Sequence, residues 1–154
     1  MPEWLEVAFR VVHVLAAAVW VGGTIILVFV AVPYVRTLTG EARAQGLAAL
    51  GRGWRPLGWG ALAVLLATGL PLARSDWDDD FAIVFAAKMA LVASLVAGAY
   101  VHDYVLGPRL ARKLRAGDPD APRTRRRLVV VGWTNFALTL IVPALGVVLV
   151  ELGR

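Results

Sequence analysis

Residues 14–35 read VLAAAVWVGGTIILVFVAVPYV, with no charged side chain. As an α-helix the stretch is about 33 Å long at 1.5 Å per residue. That is enough to cross a bilayer core of about 30 Å. Extending it to Leu5 gives a first span over about 5–35, with Arg10 and His13 near its outer end. Three more apolar runs follow, over about 56–73, 81–106 and 128–150. The chain reads as one transmembrane domain, 1–154, of all-α class: a polytopic membrane protein built as a four-transmembrane-helix bundle.

Composition agrees. Of 154 residues, 59% are hydrophobic, and mean hydropathy is +0.70; soluble domains hold roughly 45–50% apolar residues. There is no cysteine, which excludes disulfides, thiolate zinc sites and iron–sulfur clusters. No nucleophile–base motif or phosphate loop is present, which argues against hydrolases and ATPases. The N-terminus, with Glu3 and Glu6, lacks the positive charge of a cleavable signal and reads as part of a retained span.

Charge sets the expected orientation. The loop over 36–55 carries four arginines against Glu41, and the loop over 107–127 carries eight Lys/Arg against Asp118 and Asp120. The short turn over 74–80 sets Arg74 against four aspartates. Lys and Arg mark the cytoplasmic side. Both long loops are therefore expected there, with both termini and the acidic turn outside an inner (cytoplasmic) membrane. The net charge of +5 is an orientation signal, not a nucleic-acid signal, and Arg125–Arg127 read as a topology anchor or a contact to anionic lipid.

Within the runs, Pro56 suits a first helical turn. Gly69-Leu70-Pro71 suggests an ending or kink, Gly107-Pro108 closes the third span, and Pro143 suggests a bend. Glu41–Leu50 suits a short interfacial helix, and 118–122 an irregular loop. Ala86, Ala90, Ser94 and Gly98 recur every four residues, a small-residue ridge suited to helix contact within the bundle or across a homo-oligomer. Trp4, Trp54, Trp59, Trp77 and Trp133 suit the aromatic belt; Trp20 lies mid-span. No internal repeat is legible.

Ionisable residues inside spans usually face an interior site. His13 and Trp20 share a helix face, with Arg10 one turn outward. Lys88 and His102 share a face of the third span, and Asn135 and Thr139 one of the fourth. Helix rise puts His13 and His102 roughly 20 Å apart in depth. A pair ligating one haem within one chain is therefore not expected, since both rings would need one level. Arg10 and Lys88, toward the outer side with His13, would suit the carboxylates of a porphyrin. The bland alternatives stay open: His13 or His102 at an interface, Lys88 snorkelling outward.

These residues resemble a known family. His13 to Gly23 looks like the first-helix signature H-x6-W-x-G of the CopD domain and the related HemJ-type protoporphyrinogen oxidases. Lys88-Met-Ala-Leu-Val is similar to the family's K-L-x-L-V, and His102 and Asn135 resemble its later histidine and asparagine. Two positions depart from the HemJ pattern: Ala99 stands where a second histidine is expected, and Phe136 where a glutamate is. The resemblance implies a haem- or porphyrin-binding redox protein. His13 (with His102 as the other metal-ligand candidate) would bind haem b, Arg10 and Lys88 the propionates, and Trp20 would line the pocket. His102 and Asn135 would form a second polar site. A quinone or redox partner would exchange electrons, or the protein would act as an oxidoreductase on a porphyrinogen. The alternative is copper handling, with His13 and His102 as stations and Met89 assisting. A third reading is a packing subunit of a membrane complex. The first is favoured because cations beside a histidine suit a carboxylated cofactor and repel a transported cation.

Overall fold

The computed structural model describes residues 2–73 and 79–152. Among them every regular element is helical. The chain divides into two compact units, Met1–Asp76 and Trp77–Arg154. In the first, α1 (Glu3–Ile26) passes through a π-helical turn (Leu27–Ala31) into α2 (Val32–Thr37), and α3 (Gly40–Gly69) packs back on α1. In the second, α4 (Asp79–Tyr100) passes through a π-turn (Val101–Leu106) into α5 (Gly107–Arg115), and α6 (Ala121–Leu152) packs back on α4. Of these four long helical segments, Glu3–Thr37, Asp79–Arg115 and Ala121–Leu152 are long and apolar enough to cross a membrane. The acidic turn holding Arg74, Asp76, Trp77 and Asp78 lies outside the described residues.

Prolines explain most departures from the expected boundaries. Gly107-Pro108 does not close the third span; the helix runs on to Arg115. A proline lacks an N–H and crowds the carbonyl four residues back. Each unit relieves this with one wider turn. The Val32 N–H reaches the Leu27 carbonyl and the Gly107 N–H reaches the His102 carbonyl, the i→i−5 pattern of a π-turn. Pro33 and Pro108 then stand in the first turn of the next helix, where no donor is needed. Pro56 is inside α3, not at its start, and Glu41–Leu50 is not a separate interfacial helix but the first part of α3. Its Ala- and Leu-rich composition favours a continuous helix. The apolar part of α3 begins only at Pro56 and ends at Gly69, roughly 20 Å of rise, so α3 is not among the three long apolar helices. Helix α6 begins at Ala121, ahead of the expected boundary, and continues through Pro143.

The two units share landmarks that the sequence did not announce. His13, Gly23 and Pro33 recur as Lys88, Gly98 and Pro108 at identical spacing. In each unit the ionisable side chain lies on a glycine of the returning helix: His13 on Gly69, Lys88 on Gly146. In each, the middle glycine receives a side chain from that helix: Trp54 at Gly23, Asn135 at Gly98. Missing Cβ atoms let helices approach closely, which is how packing is gained where lipid offers no hydrophobic drive. Trp54 thus departs from the belt expectation; it fills a slot between Gly23 and Gly58. Trp4 and Trp133 are exposed, as a lipid-facing belt requires.

The turn between α5 and α6 is built by hydrogen bonds. The Asp118 N–H reaches the Lys113 carbonyl (3.0 Å) and the Gly117 N–H the Leu114 carbonyl (3.3 Å), a Schellman ending. Gly117 supplies the required left-handed backbone, with φ +62°. Asp118 then accepts from the Asp120 N–H (2.7 Å) and pairs with Lys113 (3.1 Å). Those two contacts, the backbone one first, hold its carboxyl below the ordinary value.

Candidate functional site

Each unit presents one histidine with its tautomer defined by a neighbour. In the first, the His13 ring lies 2.8 Å through Nδ1 from the Thr68 hydroxyl near the end of α3. Thr68 is buried, and its single hydroxyl proton is committed to the Val64 carbonyl at 2.7 Å. Its oxygen therefore accepts from His13 Nδ1–H, because a hydroxyl has one proton to give and two lone pairs. That leaves the ring's lone pair on Nε2. Gly69 makes room for the ring: a Cβ there would stand 2.9 Å from His13 Cε1.

Two turns along α1 from His13, Trp20 meets Trp54 with ring centroids 6.0 Å apart and planes tilted by 40°. Histidine and tryptophan thus stand on the α1–α3 seam, as their spacing foretold. Arg10 is exposed and paired with Glu6 at 2.7 Å, one turn back.

In the second unit His102 sits in the π-turn. Its Nδ1 is 2.9 Å from the Asp103 carboxylate. A carboxylate accepts, so Nδ1 carries a proton, and in the neutral ring Nε2 holds the lone pair. A Cβ at Gly132 would stand 3.5 Å from that Nε2. Asn135 lies on the same helix as Gly132 and packs on Gly98 in the α4–α6 seam. Thr139, on the face of Asn135, is buried. Lys88 is farther along the seam, its Nζ 3.2 Å from where a Cβ on Gly146 would be. No carboxylate among the described residues pairs with it. Ala99 is buried and Phe136 meets Trp133 edge-on at 5.7 Å, so the two positions that depart from the HemJ pattern carry packing groups. Of the small-residue ridge, Gly98 is in the seam, whereas Ala86, Ala90 and Ser94 are exposed.

Sequence reasoning missed Thr68, Gly69, Gly132 and Gly146. A lone hydroxyl in the apolar run of α3 was a visible signal for Thr68. Nothing local marks which glycine a distant side chain will cover. Among the described residues no three His, Asp or Glu side chains come together as a cage for a metal. What each unit offers is one imidazole held by a neighbouring acceptor, as metal-ligating histidines are.

A family model described as copper resistance protein D (CopD) matches residues 48–149. The match takes in Trp54, Thr68, Lys88, His102 and Asn135 and begins after His13 and Trp20. No curated protein and no solved structure matches the chain.

Proposed function

The chain belongs to the copper resistance protein D family, and from that premise we propose that it handles copper ions in the membrane as a substrate, through Nε2 of His13 and of His102. The tautomer of His13 carries the reading: Thr68, its proton spent on Val64, takes Nδ1–H and leaves the lone pair at Nε2. Imidazole nitrogen suits copper. Histidines outside any three-ligand cage among the described residues suit passage better than storage, since a conducted ion must be bound weakly enough to leave. The ion pair of Arg10 with Glu6 also weakens the electrostatic objection to a cation near His13, because Glu6 offsets that charge at its source.

The test is a titration of the detergent-purified protein with Cu(I), with metal analysis and an absorption spectrum on the same sample. Two binding events are expected, one per helical unit. A Soret band with sharp reduced α and β bands, and no copper uptake, sinks this reading.

One observation favours a second reading. Lys88 is a cation in a membrane-spanning helix with no carboxylate on it among the described residues, and such a residue calls for a partner. A ligand bearing carboxylates, such as a b-type haem or a porphyrinogen, would supply one. A quinone or redox partner would then be needed.

For orientation we place both basic loops on the cytoplasmic face of the inner membrane, from their Lys/Arg excess. The chain has no cysteine, so Gln45→Cys or Ala116→Cys gives one reporter each. A membrane-impermeant maleimide should label them only in inverted vesicles. Labelling in right-side-out vesicles would reverse the orientation.

A further inference from the structure

At the loop end of the second unit, α5 and the start of α6 enclose a groove of about 440 Å³. Leu110, Leu114, Pro122 and Val130 line it, with Arg125 and Arg126 on its wall. Its apolar lining is not covered by protein: Leu114 is 63% exposed and Val130 57%. Apolar surface at the end of a spanning helix, beside basic side chains, faces acyl chains and headgroups together.

The acids nearby are already spent. Asp118 pairs with Lys113, and Asp120 pairs with Arg123 at 3.1 Å. The Schellman ending of α5 holds Asp118 over Lys113. Among the described residues no carboxylate pairs with Arg125 or Arg126. A neighbouring cavity, lined by Arg109, Arg112 and Lys113, contains Asp118 itself and is therefore less suited to an anion. The groove thus joins an apolar floor to two guanidinium groups with no acid of their own. Guanidinium forks match phosphate oxygens in two-point contact.

We propose that this groove is a binding site for an anionic phospholipid, with an acyl chain along Leu110, Leu114 and Val130 and the phosphate on Arg125 and Arg126. The helix end supplies both halves of the match: spanning helices end at headgroup level, and basic clusters there attract anionic lipid. The site is separate from the histidines and stands whatever they bind.

Native mass spectrometry on the full chain in mild detergent tests it, with phosphatidylglycerol and phosphatidylcholine of identical acyl chains in equal amounts. The wild type should retain phosphatidylglycerol over phosphatidylcholine by about tenfold. Arg125→Gln with Arg126→Gln should bring that ratio close to one. Val130→Trp, which fills the groove and leaves both arginines, should also lower phosphatidylglycerol retention. Arg109→Gln with Arg112→Gln removes the same charge from the neighbouring cavity and should keep the preference. Equal retention of both lipids by the wild type overturns the proposal. So does an equal loss from the Arg109/Arg112 variant, which would make the attraction diffuse. Displacement by millimolar glycerophosphate would overturn it as well, since a bare anion would then suffice without the chain in the groove.

Discussion

His13→Ala eliminates one of the two expected copper-binding events, and His102→Ala eliminates the other. The two histidines belong to different helical units, each with its own acceptor on Nδ1, so neither loss should be repaired by the remaining ring. Thr68→Val leaves the imidazole in place and removes the oxygen that accepts its Nδ1–H. The ring is then no longer held in the tautomer with its lone pair at Nε2. Loss of such an orienting partner typically costs about 10–100-fold in metal affinity, and the first event should weaken by that amount. Gly69→Ala should act in the same direction, because its Cβ would stand 2.9 Å from the ring carbon Cε1 and the imidazole must turn. Titration of each variant with Cu(I) gives the number and affinity of events. An unchanged titration for His13→Ala would remove His13 from the site. A loss for His13→Ala with none for Thr68→Val would leave the ligand and discard the tautomer argument.

The ease with which these residues could be found differs by physical cause. The apolar runs and the two basic segments stood out because bilayer thickness and charge asymmetry act on composition alone, but those segments, expected as loops over 36–55 and 107–127, are largely helical. His13, Trp20, Lys88 and His102 were legible because ionisable and mid-span aromatic groups are costly in lipid and stand out in a row of aliphatics. Helix ends were read less well. Pro56 and Gly107-Pro108 read as boundaries, yet α3 runs through Pro56 and a π-turn carries the other helix past Pro108. Spacing alone does not say whether a chain will absorb a proline or stop at it. Arg10 pairs with Glu6, four residues back on the same helix, as i,i+4 geometry favours, a pairing that its expected place beside His13 left out. The matched landmarks of the two units were hard to see because only the glycines and prolines repeat in type, whereas His13 answers to Lys88 and Trp54 to Asn135. Only their common habit of covering a glycine reveals them.

Gly22 and Gly23 are neighbours in sequence and should respond oppositely to alanine. In a helix interior Gly→Ala ordinarily stabilises by about 1 kcal/mol. At Gly22 nothing lies within 4 Å of the new Cβ, so Gly22→Ala should show that ordinary gain or no effect. At Gly23 the new Cβ would overlap the six-membered ring of Trp54. Trp54 has little freedom to yield, since its indole also lies on Gly58, where a Cβ would be 2.9 Å from Cε2, and meets Trp20. Overpacking of this kind typically costs about 1–3 kcal/mol, enough to outweigh the helix gain and reverse the sign. The reversal depends on Trp54, which a double mutant can show. Trp54→Leu alone should destabilise by opening a cavity in the α1–α3 seam, but within that background Gly23→Ala should cost nothing or stabilise. Neighbouring sites that share a contact commonly couple by about 0.5–3 kcal/mol, so the effect is measurable by thermal unfolding in detergent. If Gly22→Ala and Gly23→Ala unfold alike, or if Trp54→Leu leaves the cost of Gly23→Ala unchanged, the close approach of α1 to α3 is not what holds the first unit together.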